Sequence, residues 1–257
     1  ILGAVMMLDR LPTWSEIGWV TVAMVGARSA AMGLNRLIDR AIDARNPRTA
    51  GRAIPAGLLG IREVVVFIIV SFALLFLAAF RLNPLVVKLL PIAVFALVFY
   101  HYTKRFTWLC HLFLGFTIAL GPLGGWLAVT GEASPAAYLL YVSVAFWTAG
   151  FDIVYACQDA EYDREAKLHS IPARFGVRNA LLIARLFHIV PAFGFLTLFW
   201  MTDLSFGYLA GALISLGILA YQHMLVKPED LSRVNIAFFS MNGTLSVVLF
   251  AFTLFDL

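Results

Sequence analysis

Apolar runs, each about the length of a membrane-crossing helix, follow one another along this chain with little between them. Roughly 20 residues of α-helix rise about 30 Å, the thickness of a bilayer's hydrocarbon core. Seven such runs occupy 61–80, 84–103, 108–129, 135–157, 178–200, 205–226 and 234–255. An eighth, 16–43, begins apolar and gains charge toward its end. Residues 1–8, Ile-Leu-Gly-Ala-Val-Met-Met-Leu, read as the last turns of a ninth helix whose beginning is missing. The expected fold is all-α, a polytopic transmembrane helical bundle forming a single domain over 1–257.

Composition agrees. Only 13% of the 257 residues are charged, against 61% hydrophobic, about half the charge of a soluble domain. The net charge of +4 would suggest nucleic acid in a soluble protein, but here the basic residues lie between apolar runs and act as an orientation signal. Fourteen of the 19 Lys and Arg fall in 36–62, 104–107, 158–178 and 227–233, three (Arg10, Arg81 and Lys88) fall on the opposite side, and Arg28 and Arg185 lie deeper within spans. The positive-inside tendency therefore puts the two long loops, 44–60 and 158–177, in the cytoplasm, with the chain in the cell membrane. Cys110 and Cys157 have no metal or redox spacing and read as small buried residues.

The acidic residues of that face are regularly spaced. Asn35, Asp39 and Asp43 follow at intervals of four; so do Asp159 and Asp163, with Asp152 seven residues earlier. Residues four apart share one helix face, and two carboxylates stacked there repel, so a cation is expected between them. Magnesium suits the position, because it takes oxygen ligands and bridges one or two carboxylates to a substrate phosphate. Two such faces, each with one metal, would grip a diphosphate from both sides.

Basic residues stand close by in sequence. Arg45-Asn46-Pro47-Arg48-Thr49-Ala50-Gly51-Arg52 follows the first acidic segment, and Lys104 and Arg105 end another helix. Guanidinium and ammonium groups match diphosphate oxygens, with Arg48, Arg52 and Lys104 the candidates; Arg45 and Arg105 read as headgroup anchors. Arg28 lies seven residues before Asn35, about 10 Å deeper. A charge at that depth needs a polar surrounding, which points to a cavity-facing role toward Asp152 or an anionic acceptor.

These elements resemble the UbiA superfamily of intramembrane prenyltransferases. Its first motif reads Asn35-Arg-Leu-Ile-Asp39-Arg-Ala-Ile-Asp43, its second Asp152-Ile-Val-Tyr155-Ala-Cys-Gln-Asp159-Ala-Glu-Tyr-Asp163, and its Tyr-x-x-x-Lys element Tyr100-His-Tyr-Thr-Lys104. Arg28 occupies the family's arginine seven residues before the motif asparagine. The resemblance implies nine helices around a cavity open to lipid, and two magnesium ions held by Asp39, Asp43, Asp159 and Asp163 with Asn35 assisting. It implies a polyprenyl diphosphate whose leaving group meets Lys104 and Arg52, and an aromatic acid as acceptor. Ionisation would give an allylic cation, kept from water by the membrane cavity and faced by rings such as Tyr100 and Tyr155. Asp152 or a metal-bound phosphate would take the ring proton.

Many members carry aspartate directly after the motif asparagine, where this chain has Arg36. With the Asn46–Arg52 loop and the His169–Gly176 segment, that resembles a bacterial subgroup called 4-hydroxybenzoate polyprenyltransferase-like, linked to menaquinone formation by the futalosine route. That subgroup resemblance implies a dihydroxynaphthoate, 1,4-dihydroxy-6-naphthoate, as acceptor; outside the subgroup the acceptor is 4-hydroxybenzoate, as in ubiquinone formation. A reading from another class is a transporter whose Asp cluster binds a transported cation. Transport needs polar groups near the midplane, whereas these acids gather at one face.

Overall fold

The computed structural model describes residues 10–256. Among them run α1 (Trp14–Ile38), α2 (Arg40–Arg45), α3 (Ile61–Leu82), α4 (Pro84–Thr103), α5 (Cys110–Thr130), α6 (Pro135–Ala156), α7 (Ala160–Glu165), α8 (Ile171–Met201), α9 (Phe206–Leu225) and α10 (Asn242–Phe255). A 3₁₀ turn, Cys157–Asp159, joins α6 to α7, and a π-helical turn, Ile236–Met241, leads into α10. Eight helical stretches among the described residues are long and apolar enough to cross a membrane. They coincide with the eight runs read between 16 and 255; the helix end read on 1–8 lies outside the described residues. The chain divides into two compact units.

The first unit comprises 12–102 with 127–132. Thr13 starts α1 with a capping box: its hydroxyl accepts from the Glu16 N–H at 3.2 Å, and the Glu16 carboxylate accepts from the Thr13 N–H at 2.7 Å. That satisfies two donors a helix start would leave orphaned. Helix α1 buries its small residues Gly26, Ala30 and Gly33, and at Gly26 the backbones nearly touch. A Cβ there would stand 2.7 Å from the Ser71 carbonyl oxygen and 2.8 Å from the Leu75 nitrogen of α3. Between membrane helices such close approach replaces the missing hydrophobic drive. Helix α3 buries Val64, Ile68, Ser71, Leu75 and Ala79 on one stripe while Ile69 and Phe80 are 61% and 68% exposed on the other. An outer face this apolar suits lipid rather than water. Asn83 fastens the α3–α4 turn, accepting from the Leu85 and Val86 N–H groups and donating to the Leu127 and Ala128 carbonyls.

The second unit comprises 103–126 and the chain from 133 onward. Helices α6 and α8 form its centre. Gly150 of α6 makes room for the His188 ring and Gly194 of α8 for Ser143, and in each case a Cβ would collide. Tyr208 of α9 donates its hydroxyl to the Phe195 carbonyl at 2.8 Å, deep in the core formed by Trp147, Leu198, Ala212 and Leu245.

Three backbone features depart from unbroken helices. The run 16–43 is interrupted at Asp39 (φ −92°, ψ 3°), which ends α1 and begins α2. The second acidic segment is interrupted at Asp159 (φ −104°, ψ 6°). Within α8, Gly176 adopts φ +78°, ψ 160° and sets the turn Ile171–Phe175 off from the long span beyond it. Only glycine enters that region without a steric cost.

Candidate active site

In the first unit the end of α1, the short α2 and the following loop bring Asn35, Asp39, Asp43 and Arg52 together. Both carboxylates are buried, Asp39 at 2% and Asp43 at 4% exposure. The break at Asp39 keeps the four-residue register: the Asp39 N–H donates to the Asn35 carbonyl at 3.1 Å, and the Asp43 N–H to the Asp39 carbonyl at 2.8 Å. The Asn35 amide donates to Asp39 Oδ2 at 3.2 Å and lies 3.5 Å from His101 Nδ1. Two arginines of the chain lie beside Asp43. One guanidinium nitrogen of Arg52 reaches both Asp43 oxygens, at 2.7 and 2.8 Å, and Arg36 stands 3.9 Å away. The loop is folded for this: Thr49 Oγ1 donates to the Asp43 carbonyl at 3.0 Å, and Asn46 Oδ1 accepts from the Arg48 N–H at 2.9 Å. Arg48 and Arg28 are exposed, and Tyr100 is half-buried with its ring 3.8 Å from that of His101.

In the second unit α6, the 3₁₀ turn and α7 carry the other acids. Asp152 Oδ2 lies 2.7 Å from His111 Nδ1. The Ile171 N–H donates to His111 Nε2 at 3.3 Å, so Nε2 keeps its lone pair and Nδ1 carries the hydrogen given to Asp152. Asp163 Oδ2 accepts from the Ser170 hydroxyl at 2.8 Å, and Asp159 is half-buried. Lys104 directly follows α4, and its carbonyl accepts from the His169 N–H at 2.7 Å, tying the two loops of this unit together. The Tyr155 ring lies 4.2 Å from that of Phe238 and 6.1 Å from that of Phe239.

Both acid clusters thus have an aspartate in the same sparsely populated backbone region, Asp39 and Asp159, in which many active-site residues are found. That shared break, four residues before a second aspartate in each case, is invisible to spacing.

Residues 1–244 match the model of the UbiA prenyltransferase family. The chain belongs to that family. This UbiA protein is 28% identical over 248 residues to a 4-hydroxybenzoate octaprenyltransferase of Saccharophagus degradans, which covers 96% of the chain and 82% of the relative. It is 29% identical to a UbiA homolog from Aeropyrum pernix K1 solved in its apo form, with a TM-score of 0.86 over 99% of this chain and 94% of that one. A UbiA homolog from Archaeoglobus fulgidus bound to GPP and Mg2+ is 18% identical and shares the fold, with a TM-score of 0.66 over 98% of this chain and 91% of that one. The UbiA protein is accordingly a multi-pass membrane prenyltransferase, and the transporter reading falls.

The donors of this UbiA enzyme fit the expected metal. Among the described residues no three His, Cys, Asp or Glu side chains converge on one point; each cluster offers a pair of carboxylates. Magnesium keeps several waters and takes one or two carboxylates plus phosphate oxygens, so pairs suit it and a closed protein cage does not arise. Two contributors are not marked by any motif. His101 follows Tyr100 directly, and that adjacency is its one local signal. His111 is 41 residues from Asp152, and no local pattern announces it. Of the cysteines, Cys157 is buried as expected, whereas Cys110 is half-exposed and its thiol donates to the His169 carbonyl at 3.3 Å.

Proposed function

We propose that this enzyme transfers a polyprenyl group from polyprenyl diphosphate to an aromatic carboxylate, with an acid cluster in each unit serving metal and diphosphate binding. The observation that carries the reading is the buried Asp39 and Asp43 pair with Asn35 and Arg52 bonded to it. An isolated buried carboxylate pair is costly, and this one is held by donors that suit a substrate anion once it arrives.

Asp39 and Asp43 in one unit, and Asp159 and Asp163 in the other, would hold two magnesium ions. Bound there, the ions supply charge that stabilises the departing diphosphate. Asn35 orients the Asp39 carboxylate. Arg52 is the residue whose partner changes: it sits on Asp43 now and moves to the diphosphate when that anion binds, joined by Arg48 and Lys104. Ionisation breaks the bond from the allylic C1 to oxygen, and the bonding pair leaves with the diphosphate. Tyr155, Phe238 and Tyr100 turn ring faces to the allylic cation, and the apolar surroundings exclude water. A π pair of the acceptor ring then forms the new bond to C1. The ring proton passes to Asp152, whose Oδ2 is steadied by His111, or to a phosphate oxygen, and aromaticity returns. Arg28 pairs with the acceptor carboxylate.

The name of the Saccharophagus degradans relative favours 4-hydroxybenzoate. Arg36, which stands where many members have aspartate and lies near Asp43, favours 1,4-dihydroxy-6-naphthoate as the second reading. The fourteen basic residues of one set of connectors support cytoplasmic active-site loops in the cell membrane. The test offers both acids in parallel with a radiolabelled polyprenyl diphosphate to the purified enzyme. Transfer is expected with magnesium and is abolished by EDTA, by Asp39→Ala and by Asp159→Ala. Near-normal turnover in either variant would remove the proposal.

A further inference from the structure

Asn242 is far from either acid motif in sequence, yet both ends of its side chain are satisfied in the interior of the second unit. It is 8% exposed. Its Oδ1 accepts from the Trp147 indole N–H at 2.9 Å, and its amide donates to the Ala237 carbonyl at 3.3 Å and the Phe238 carbonyl at 2.7 Å. The two carbonyls belong to the π-helical turn Ile236–Met241. A π turn widens the helix and leaves carbonyls poorly aimed at the usual donors; such turns are rare and recur at functional sites. Here the Asn242 side chain supplies the donors, and the indole anchors it to α6, the helix that also carries Asp152 and Tyr155.

The widened turn has a consequence for the rings. With more residues in the turn, neighbouring side chains diverge less than on an α-helix, so Phe238 and Phe239 both reach Tyr155. Phe151 closes on Phe238 edge-on at 5.3 Å, and Trp147 on Phe151 at 5.9 Å. Asn242 therefore holds, through one indole and two carbonyls, the turn from which the ring set beside Tyr155 projects.

We infer that Asn242 is a positioning residue that sets the Phe238 and Phe239 faces against Tyr155 and so decides whether the prenyl cation is captured by the aromatic acceptor or by water. The inference rests on the proposed prenyl transfer. Removing the amide leaves the Ala237 and Phe238 carbonyls and the Trp147 N–H without this partner, and groups stripped of a partner in an apolar interior recruit water. Water attacking C1 through an oxygen lone pair, with loss of one proton to the diphosphate or solvent, yields the prenyl alcohol. The products of one ionisation are then divided between alcohol and prenylated acid.

The experiment measures the ratio of prenyl alcohol to prenylated acid from radiolabelled polyprenyl diphosphate, in wild type, Asn242→Ala, Trp147→Phe and the double variant. The ratio is independent of how much enzyme is folded, so a merely structural role leaves it unchanged. Asn242→Ala is expected to raise it at least about threefold, Trp147→Phe to raise it less, and the double variant to match Asn242→Ala because both act through one contact. A wild-type ratio in both single variants overturns the inference, as does a wild-type ratio in Trp147→Phe if Asn242→Ala does not fold. A wild-type enzyme that consumes no prenyl diphosphate overturns the proposed function itself, and this inference with it.

Discussion

Asp43 joins two demands in one carboxylate: it is almost wholly buried, and it needs a donor for each oxygen. Arg52 answers both with two short contacts from a single nitrogen. Removing the guanidinium leaves a buried acceptor without its main donor, at a cost of about 1–3 kcal/mol, moderated by Arg36 at 3.9 Å. Arg52→Ala should lower thermal stability in detergent accordingly. It should cost more in turnover, roughly 100-fold or beyond, since the same group is proposed to meet the leaving diphosphate. Arg52→Lys should recover most of the stability and little of the rate, because an ammonium is a point charge without a fork. Equal loss of both properties in both variants would refute the dual role. Asn35, Asp39 and Asp43 are legible in the sequence because a four-residue interval is a local signal. His101 and His111 are not: their contacts with Asn35 and Asp152 join residues 66 and 41 positions apart, and an isolated histidine on an apolar helix advertises no partner.

Helices are legible as hydropathy, and their contacts only as composition. The α1–α3 approach depends on Gly26, where a side chain meets backbone on both counts, while Gly18 on the same helix has nothing within 4 Å of its would-be Cβ. The two glycines therefore predict opposite outcomes. Gly26→Val should separate α1 from α3 and destabilise the protein by about 1–3 kcal/mol, with activity falling too because α1 delivers Asn35 and Asp39. Gly18→Ala should be neutral or stabilising by up to about 1 kcal/mol, through helix propensity alone. Thermal unfolding of the two variants in the same detergent checks both. The interruptions at Asp39 and Asp159 are hidden from the sequence for a different reason. At Asp39 the i to i−4 hydrogen bonds persist across the break, so the side-chain interval reads as continuous helix although the backbone dihedrals do not.

Taken over its whole length, the chain has its expected orientation written in charge. The segments 36–62, 104–107, 158–178 and 227–233 hold fourteen Lys and Arg, and the opposite ends of the spans hold Arg10, Arg81 and Lys88. Each basic residue near an anionic cytoplasmic leaflet contributes about 1 kcal/mol, so the bias toward one topology is large. The first unit contains a reporter for each side, Ala56 in the loop after α2 and Glu132 after α5, both exposed. In a Cys110→Ser, Cys157→Ala background, the Glu132→Cys variant should react with a membrane-impermeant maleimide in intact cells. The Ala56→Cys variant should react only in inverted vesicles. The reverse pattern would put Asp39, Asp43 and the Arg52 loop outside the cell. A diphosphate headgroup does not cross a bilayer unaided, since a buried charge costs several kcal/mol even when partly compensated. The labelling pattern therefore decides which compartment must supply the prenyl donor, and an outside-facing Ala56 would leave the Asp39–Asp43 cluster separated from a cytoplasmic diphosphate.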